Sequence, residues 1–429
     1  MPFSRFSAST TSTRLARVTS VLISALPSVF HTFTSLAGRA ARSRAAYGRA
    51  ESGPLAIAAL GLALALSSGA RAEVGVTDQK ILLGQSAAFS GPAAQLGIQL
   101  HAGAKAYFDA INAQGGVFGR RIEIIQADDK YEADLAAANT KRLIETDNVF
   151  ALFGYVGTPT SNAALPIFTQ AHVPFFAPFT GAESLRQPFN REIFNIRASY
   201  FDETEHLVDR LVKTGIKKIA VFYQNDAYGR AGLAGVERAL KLMKVEMIET
   251  ATVERNSSDV SAAVAKILPK KPDAIIQISA YASCAAYIRS MQKAGYTGQF
   301  YNVSFVGSQA LADTLGKDGP GVVISQVVPF PWHAATPIVS EYQKVMTRSG
   351  VKDWNFSSLE GFIAAKVMTE GLKRAGRDLT RDKLVRALET INRNNFDTGG
   401  FDVSFSPSNH NGSKYVDMTV ITKDAKFRD

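Results

Sequence analysis

The chain has 429 residues, 46% hydrophobic and 20% charged, which excludes wholesale disorder and leaves room for two domains of about 150–200 residues each. Its net charge of +10 does not describe a nucleic-acid face, because residues 1–72 hold eight arginines against one glutamate and so carry +7 of it. The only cysteine, Cys284, rules out an intramolecular disulfide.

Residues 1–72 read as a leader. An arginine-bearing stretch up to Arg49 precedes a small and apolar run over 55–66, then Ala70-Arg71-Ala72, an A-x-A site whose cleavage leaves Glu73 as the new terminus. The run is too short for a membrane span of about 20 residues. An organelle transit peptide is the competing reading, since residues 1–50 contain no Asp or Glu. The ordered signal directly ahead of the first strand favours a signal peptide and a periplasmic mature chain, not embedded in the membrane. No cysteine follows the apolar run, which argues against a lipid anchor.

From Glu73 onward, short apolar runs alternate with helical periodicity, the pattern of parallel sheets covered by crossover helices. Strands are expected at 80–89, 121–127, 149–156, 174–178 and 193–198. Helices fall between them at 93–114, 134–146 and 158–171, the last with Pro166 as a kink. The pattern restarts with helices at 202–214, 228–243, 258–268 and 282–295 between strands at 218–223, 246–253, 274–278 and 300–304. After a strand at 322–328 come helices at 337–349, 358–375 and 381–391, then strands at 401–405 and 415–421 around a turn at 407–412. Helices that follow the second unit need a sheet to cover, so the chain is expected to return to the first. The expected fold is α/β, with two doubly wound parallel-sheet lobes and a hinge crossed several times. Lobe one takes 73–198 plus about 329–403, and lobe two 199–328 plus about 404–429.

In such sheets ligands bind beyond the carboxyl ends of strands, where loops enter helices. Two loops of the first unit offer hydroxyls and backbone N–H groups at a helix start, a site for a carboxylate: one carries Tyr155, Gly157 and Thr158, the other Phe179, Thr180 and Gly181. Thr158 would serve equally as an N-cap ahead of Pro159. The second unit supplies Tyr228 and Tyr281 at strand ends, able to stack on a ligand or to cap a core edge. Cys284, with no His nearby in sequence, reads as a small packed hydrophobe. The histidines after the leader are scattered without metal-ligand spacing, and no G-x-S-x-G elbow or P-loop is present, so neither cofactor, metal nor catalysis is expected.

Three stretches carry a resemblance: Phe89-Ser90-Gly91-Pro92-Ala93-Ala94-Gln95-Leu96-Gly97, residues 109–120 with their Gly115-Gly116-Val117-Phe118-Gly119 turn, and Asp226-Ala227-Tyr228-Gly229. The chain from Glu73 on resembles the periplasmic binding proteins of ABC importers, in the branched-chain amino acid-binding class (the type I fold). The resemblance implies a monomer that engulfs a small solute between two lobes and delivers it to an importer permease. It also implies a pocket lined by Leu96, where the family usually has an aromatic. Gly157, Thr158, Thr180 and Gly181 match the carboxylate-holding loops, and Tyr228 and Tyr281 fall at second-lobe contacts. At the family's ammonium-binding acid this chain has Ser304, and the family's usual first-lobe disulfide is missing. A neutral hydroxyl does not offset a buried ammonium, so an aromatic or aliphatic acid competes with an amino acid as the ligand. A ligand-sensing role for a receptor is the alternative on the same fold, and an enzyme on this scaffold a weaker one.

Overall fold

The computed structural model describes residues 73–428, so the leader and its cleavage site lie outside the described residues. Short apolar runs give five parallel strands, β1 (Lys80–Ala87), β2 (Arg121–Asp128), β3 (Ala151–Phe153), β4 (Phe175–Phe176) and β5 (Ile193–Phe194), in the order β2-β1-β3-β4-β5. Three helices connect them, α1 (Ala94–Ala113), α2 (Ala133–Glu145) and α3 (Thr158–Gln170), the last with Pro166 inside it.

The second sheet is built from β6 (Ile219–Gln224), β7 (Met247–Val253), β8 (Ala274–Ile278), β9 (Gln299–Asn302) and β10 (Val323–Gln326). Its helices are α4 (Tyr200–Lys213), α5 (Ala227–Met243), α6 (Ser261–Ile267), α7 (Tyr281–Lys293) and α8 (Ser308–Leu315). Strands β11 (Asp417–Ile421) and β12 (Phe427–Arg428) then add antiparallel edges, giving the order β12-β11-β10-β9-β8-β6-β7. Cys284 is buried on α7, its thiol raised well above its usual range by burial and directed at the Ser279 carbonyl oxygen.

Between β10 and β11 the chain returns to the first sheet as α9 (Pro337–Arg348), α10 (Phe356–Ala375) and α11 (Arg381–Glu389). Helices α1 and α10 cross with their backbones in contact. A Cβ on Gly103 would stand 1.7 Å from the Ser358 carbonyl oxygen, and one on Gly361 2.0 Å from that of Leu100. Only glycine permits so close a crossing. Their apolar faces join β1, β3 and β5 in one core containing Leu83, Phe153, Phe194, Phe362 and Met368. The chain therefore passes between the sheets three times: after β5, after β10 and before β11.

The tail departs from the sequence reading. Residues 401–405 form no strand; Phe401, Val403 and Phe405 are buried in the first core. Asn195 bridges Asn411 in parallel, through Asn195 N–H to the His410 oxygen and Gly412 N–H to the Asn195 oxygen, so residues 409–412 lie beside β5. The return to the second sheet comes after them, not near 404.

Candidate functional site

The C-terminal ends of β3, β4, β6 and β9 converge on one buried cluster that contains Leu96, Tyr131, Val156, Phe179, Tyr200, Tyr228 and Phe305. Its first-lobe wall is the entry to α3. Gly157 precedes the helix at φ +103°, a conformation that favours glycine, and a Cβ there would lie 2.3 Å from Tyr131 Cε2. Thr158 is thus the first helical residue, where N–H groups lack intrahelical acceptors. Its hydroxyl is 2.7 Å from that of Thr180, which donates onward to the Tyr200 hydroxyl at 3.2 Å and accepts from the Ala182 N–H at 3.3 Å. Because Thr180 sends its proton to Tyr200, Thr158 is the donor in the first pair. This hydroxyl chain runs from the first lobe to the start of α4. Gly181 lets Tyr200 approach: a Cβ there would meet the Tyr200 nitrogen at 2.6 Å.

The aromatic wall is continuous. Tyr228 packs on Phe305 at 4.4 Å and on Tyr200 at 5.4 Å between ring centroids, and Phe179 lies 5.6 Å from Phe305. Leu96 fills the space over Gly307, where a Cβ would come within 2.5 Å of Leu96 Cδ2. Tyr281 stands half-buried at the edge, its hydroxyl 3.5 Å from the Gln95 N–H across the lobes. Burial lifts the Tyr228 phenol well above its usual range, so its oxygen is a protonated donor. That oxygen and Ser161 Oγ are buried with no hydrogen-bond partner among the described residues.

Beneath this wall lies an ion cluster. Arg197, 1% exposed, places its guanidinium 4.3 Å from the Phe179 ring centroid, hydrogen-bonds Glu360 through Nη2 at 3.1 Å and holds Nε 3.0 Å from the same carboxylate as an ion pair. Nη2 also donates to Ser304 Oγ at 2.9 Å, while Nη1 is buried with no hydrogen-bond partner among the described residues. Glu203 accepts from Ser304 N–H (2.8 Å), Ser304 Oγ (3.0 Å) and Ser325 Oγ (2.6 Å). Burial opposes the Arg197 charge, but Glu360 and Glu203 outweigh it and hold the guanidinium above its ordinary range. Burial also raises both carboxyls against the pull of Arg197, Glu360 up to about 7. Arg197 sits just before the first lobe crossing and Glu203 just after it, so the cluster ties the hinge.

Of the residues named from sequence, Leu96, Thr158, Phe179, Thr180 and Tyr228 meet at this site, with Gly157 and Gly181 shaping the approach and Tyr281 at its edge. Tyr155 does not join them. Side chains alternate along an extended strand, and with Val156 in the cluster Tyr155 turns to the opposite face, packing on Phe175 and bonding Thr140. Ser304 faces Glu203 and Arg197. Asp226 caps α5 at the Tyr228 and Gly229 N–H groups and accepts from Gln224, with Arg255 at 3.8 Å. Phe305 and Tyr131 were legible only as neighbours of the motifs that were read. Arg197, Glu203 and Glu360, spread over more than 160 residues, share no local pattern.

Among the described residues no group of His, Cys, Asp and Glu is arranged to hold a metal ion, and no helix is long and apolar enough to cross a membrane. Residues 80–426 match the family described as periplasmic binding protein. A possible leucine/isoleucine/valine-binding protein from Rhodopirellula baltica SH 1 is 34% identical, covering 83% of this chain and 97% of its own, with a TM-score of 0.78. A substrate-binding periplasmic protein from Ralstonia solanacearum is 31% identical over 81% of this chain and 99% of its own, with a TM-score of 0.76. Leu/Ile/Val-binding protein homolog 7 of Brucella suis is 25% identical over 371 residues, 80% of this chain and 90% of that protein. With two parallel-sheet lobes meeting at their strand ends and the family match spanning most of the sequence, this chain belongs to the periplasmic binding protein family, as an extracytoplasmic solute-binding protein and not an enzyme.

Proposed function

We propose that the protein binds a small organic acid without a charged amine between its lobes and hands it to the permease of an ABC-type importer as a monomer. The observation that carries this reading is the hydroxyl chain Thr158–Thr180–Tyr200 at the start of α3. The unpaired N–H groups of the first turn of α3 favour a carboxylate, which would draw the Thr158 proton away from Thr180. Leu96, Phe179, Tyr228, Tyr281 and Phe305 supply an apolar, flat-sided wall for the rest of the ligand. The lobes that close on it are 73–198 with about 329–412, and 199–328 with about 413–429.

The acids near the site are already engaged. Both Glu203 oxygens accept hydrogen bonds, Glu360 takes Arg197, and Asp226 is a helix cap. A ligand ammonium would therefore compete for occupied acceptors. A second reading, an amino acid whose ammonium meets Glu203, rests on two carboxylates facing one guanidinium in the cluster, and on the names of the relatives. Thr158→Ala is expected to cost about 1–3 kcal/mol of affinity for the natural ligand, the scale for hydrogen bonds to a charged group. Isothermal titration reads it, and unchanged affinity would remove Thr158 from the site.

Export is read as cleavage after Ala72, supported by the apolar run and the A-x-A site at residues 70–72. N-terminal sequencing of the secreted protein should begin at Glu73. A mature chain that keeps residues 50–70 would refute that assignment.

A further inference from the structure

At the sheet edges opposite the chain crossings, the two lobes hold one another directly. The crossings lie at β5 of the first sheet and at β10 and β11 of the second, whereas β2 and β7 are the strands at the other edges. After β2 comes the turn Asp129-Lys130-Tyr131-Glu132, and after β7 come Arg255 and Asn256. Asn256 Nδ2 donates to the Lys130 carbonyl oxygen at 3.1 Å and to Glu132 Oε1 at 2.8 Å. Arg255 Nη2 pairs with Glu132 Oε2 at 3.4 Å. Beside them Gln224, at the end of β6, donates to the Tyr131 hydroxyl at 3.2 Å. The Tyr131 ring belongs to the cleft cluster, so these contacts continue into the cleft itself.

Both sides of this contact are strained. Lys130 (φ +52°), Tyr131 (φ +62°) and Asn256 (φ +59°) all take the left-handed conformation, uncommon outside glycine and least so tolerated by a bulky side chain. Asp128 and Asp129 hold the first two there by accepting the Lys130 and Tyr131 N–H groups at 3.0 and 2.9 Å. Contacts at the edge opposite a hinge separate most when it opens, so these exist only while the lobes are together. We propose that they form a clasp: Arg255 and Asn256, closing on Lys130 and Glu132, hold the cleft shut strongly enough to populate the closed form before a ligand arrives. Neither Asn256 nor Glu132 belongs to the cleft cluster, so the clasp acts through closure. It sets the fraction of protein in the binding-competent form, and the apparent affinity for every cleft ligand scales with that fraction. The inference rests on a ligand being enclosed between the lobes, not on the chemistry of that ligand.

The experiment measures interlobe distances by double electron–electron resonance in ligand-stripped protein, so it needs no knowledge of the ligand. Nitroxides are carried by Lys141→Cys on α2 and Ala265→Cys on α6, exposed positions on the helices that follow the two halves of the clasp. Cys284 is buried and takes no label. A short-distance population is expected beside a longer one. Asn256→Gly keeps the left-handed backbone but removes the amide. It should lower the short-to-long ratio about fivefold, the scale of a charge-assisted hydrogen bond to a half-exposed carboxylate. Asn256→Asp, which tolerates the same backbone, sets a carboxylate against Glu132 and should lower the ratio at least as far. Adding Glu132→Gln, whose amide can donate to the new acid, should recover part of it. The Glu132 side chain caps no N–H group of α2, so the helix survives its replacement and circular dichroism should be unchanged throughout. The clasp is refuted by a single long-distance population in the parent protein, by an unchanged ratio in Asn256→Gly or Asn256→Asp, or by no recovery in the double variant.

Discussion

Replacing Arg197 with methionine should destabilise the protein by about 3–5 kcal/mol at pH ~8, the scale for breaking a buried ion pair and leaving its partner uncompensated. Arg197 is the only cation held within hydrogen-bonding distance of Glu360 among the described residues, and its charge also faces Glu203. Methionine fills similar volume but leaves two buried carboxyls with no cation. The loss should depend on pH in a defined direction. Glu360 already titrates at about 7 in the folded chain against 4.5 for an ordinary glutamate, raised by burial. A raised carboxyl binds its proton more tightly folded than unfolded. Its stabilising contribution is therefore complete below the unfolded pKa and is lost as pH rises through the folded one. Without Arg197 that folded value rises further. Urea titrations should show a small deficit for Arg197→Met near pH ~5 and the full deficit near pH ~8. The double variant Arg197→Met with Glu360→Leu should regain much of the loss, because an apolar pair replaces a stranded charge. A deficit that does not change with pH would mean that packing, not charge, is what Arg197 supplies.

Much of the scaffold could be read from the sequence because its signals are local. The β-branched and apolar run at 274–278 is β8 without adjustment, and α9 opens at Pro337, where the helix was expected. Errors arose where one physical cause imitates another. Phe401, Val403 and Phe405 alternate as a strand would, yet Phe405 donates to the Ile391 oxygen and Ser404 to that of Gly412, so the alternation records burial and not a ladder. Helix α8 escaped notice because eight residues held between Gly307 and Gly316 are too few to display a period. The hydroxyl half of the site was legible because helix-start chemistry lies in consecutive residues. The ionic half was not, because Arg197, Glu203, Ser304, Ser325 and Glu360 meet only when three chain crossings bring them together. Ser304 could be recognised as a position of interest, but not as a residue already committed to Glu203.

That commitment leads to the largest expected effect on binding. A ligand carboxylate would meet the unpaired N–H groups at the start of α3 and take the Thr158 proton from Thr180, whereas the acids able to receive an ammonium are hydrogen-bonded, ion-paired or capping a helix. Enclosing an ammonium beside them would draw a carboxylate oxygen from Arg197, Ser304 or Ser325 and leave that buried donor short of its acceptor, at a cost of about 3 kcal/mol, on the order of 10² in affinity. Removing the amine from an otherwise identical ligand should therefore strengthen binding. The decisive measurement is calorimetric titration of ligand-stripped protein with two matched pairs, leucine against 4-methylpentanoate and phenylalanine against 3-phenylpropanoate. The account predicts that at least one deaminated acid binds on the order of 10²-fold tighter or more than its amino acid. Tight binding of leucine or phenylalanine with no heat from either acid would contradict it.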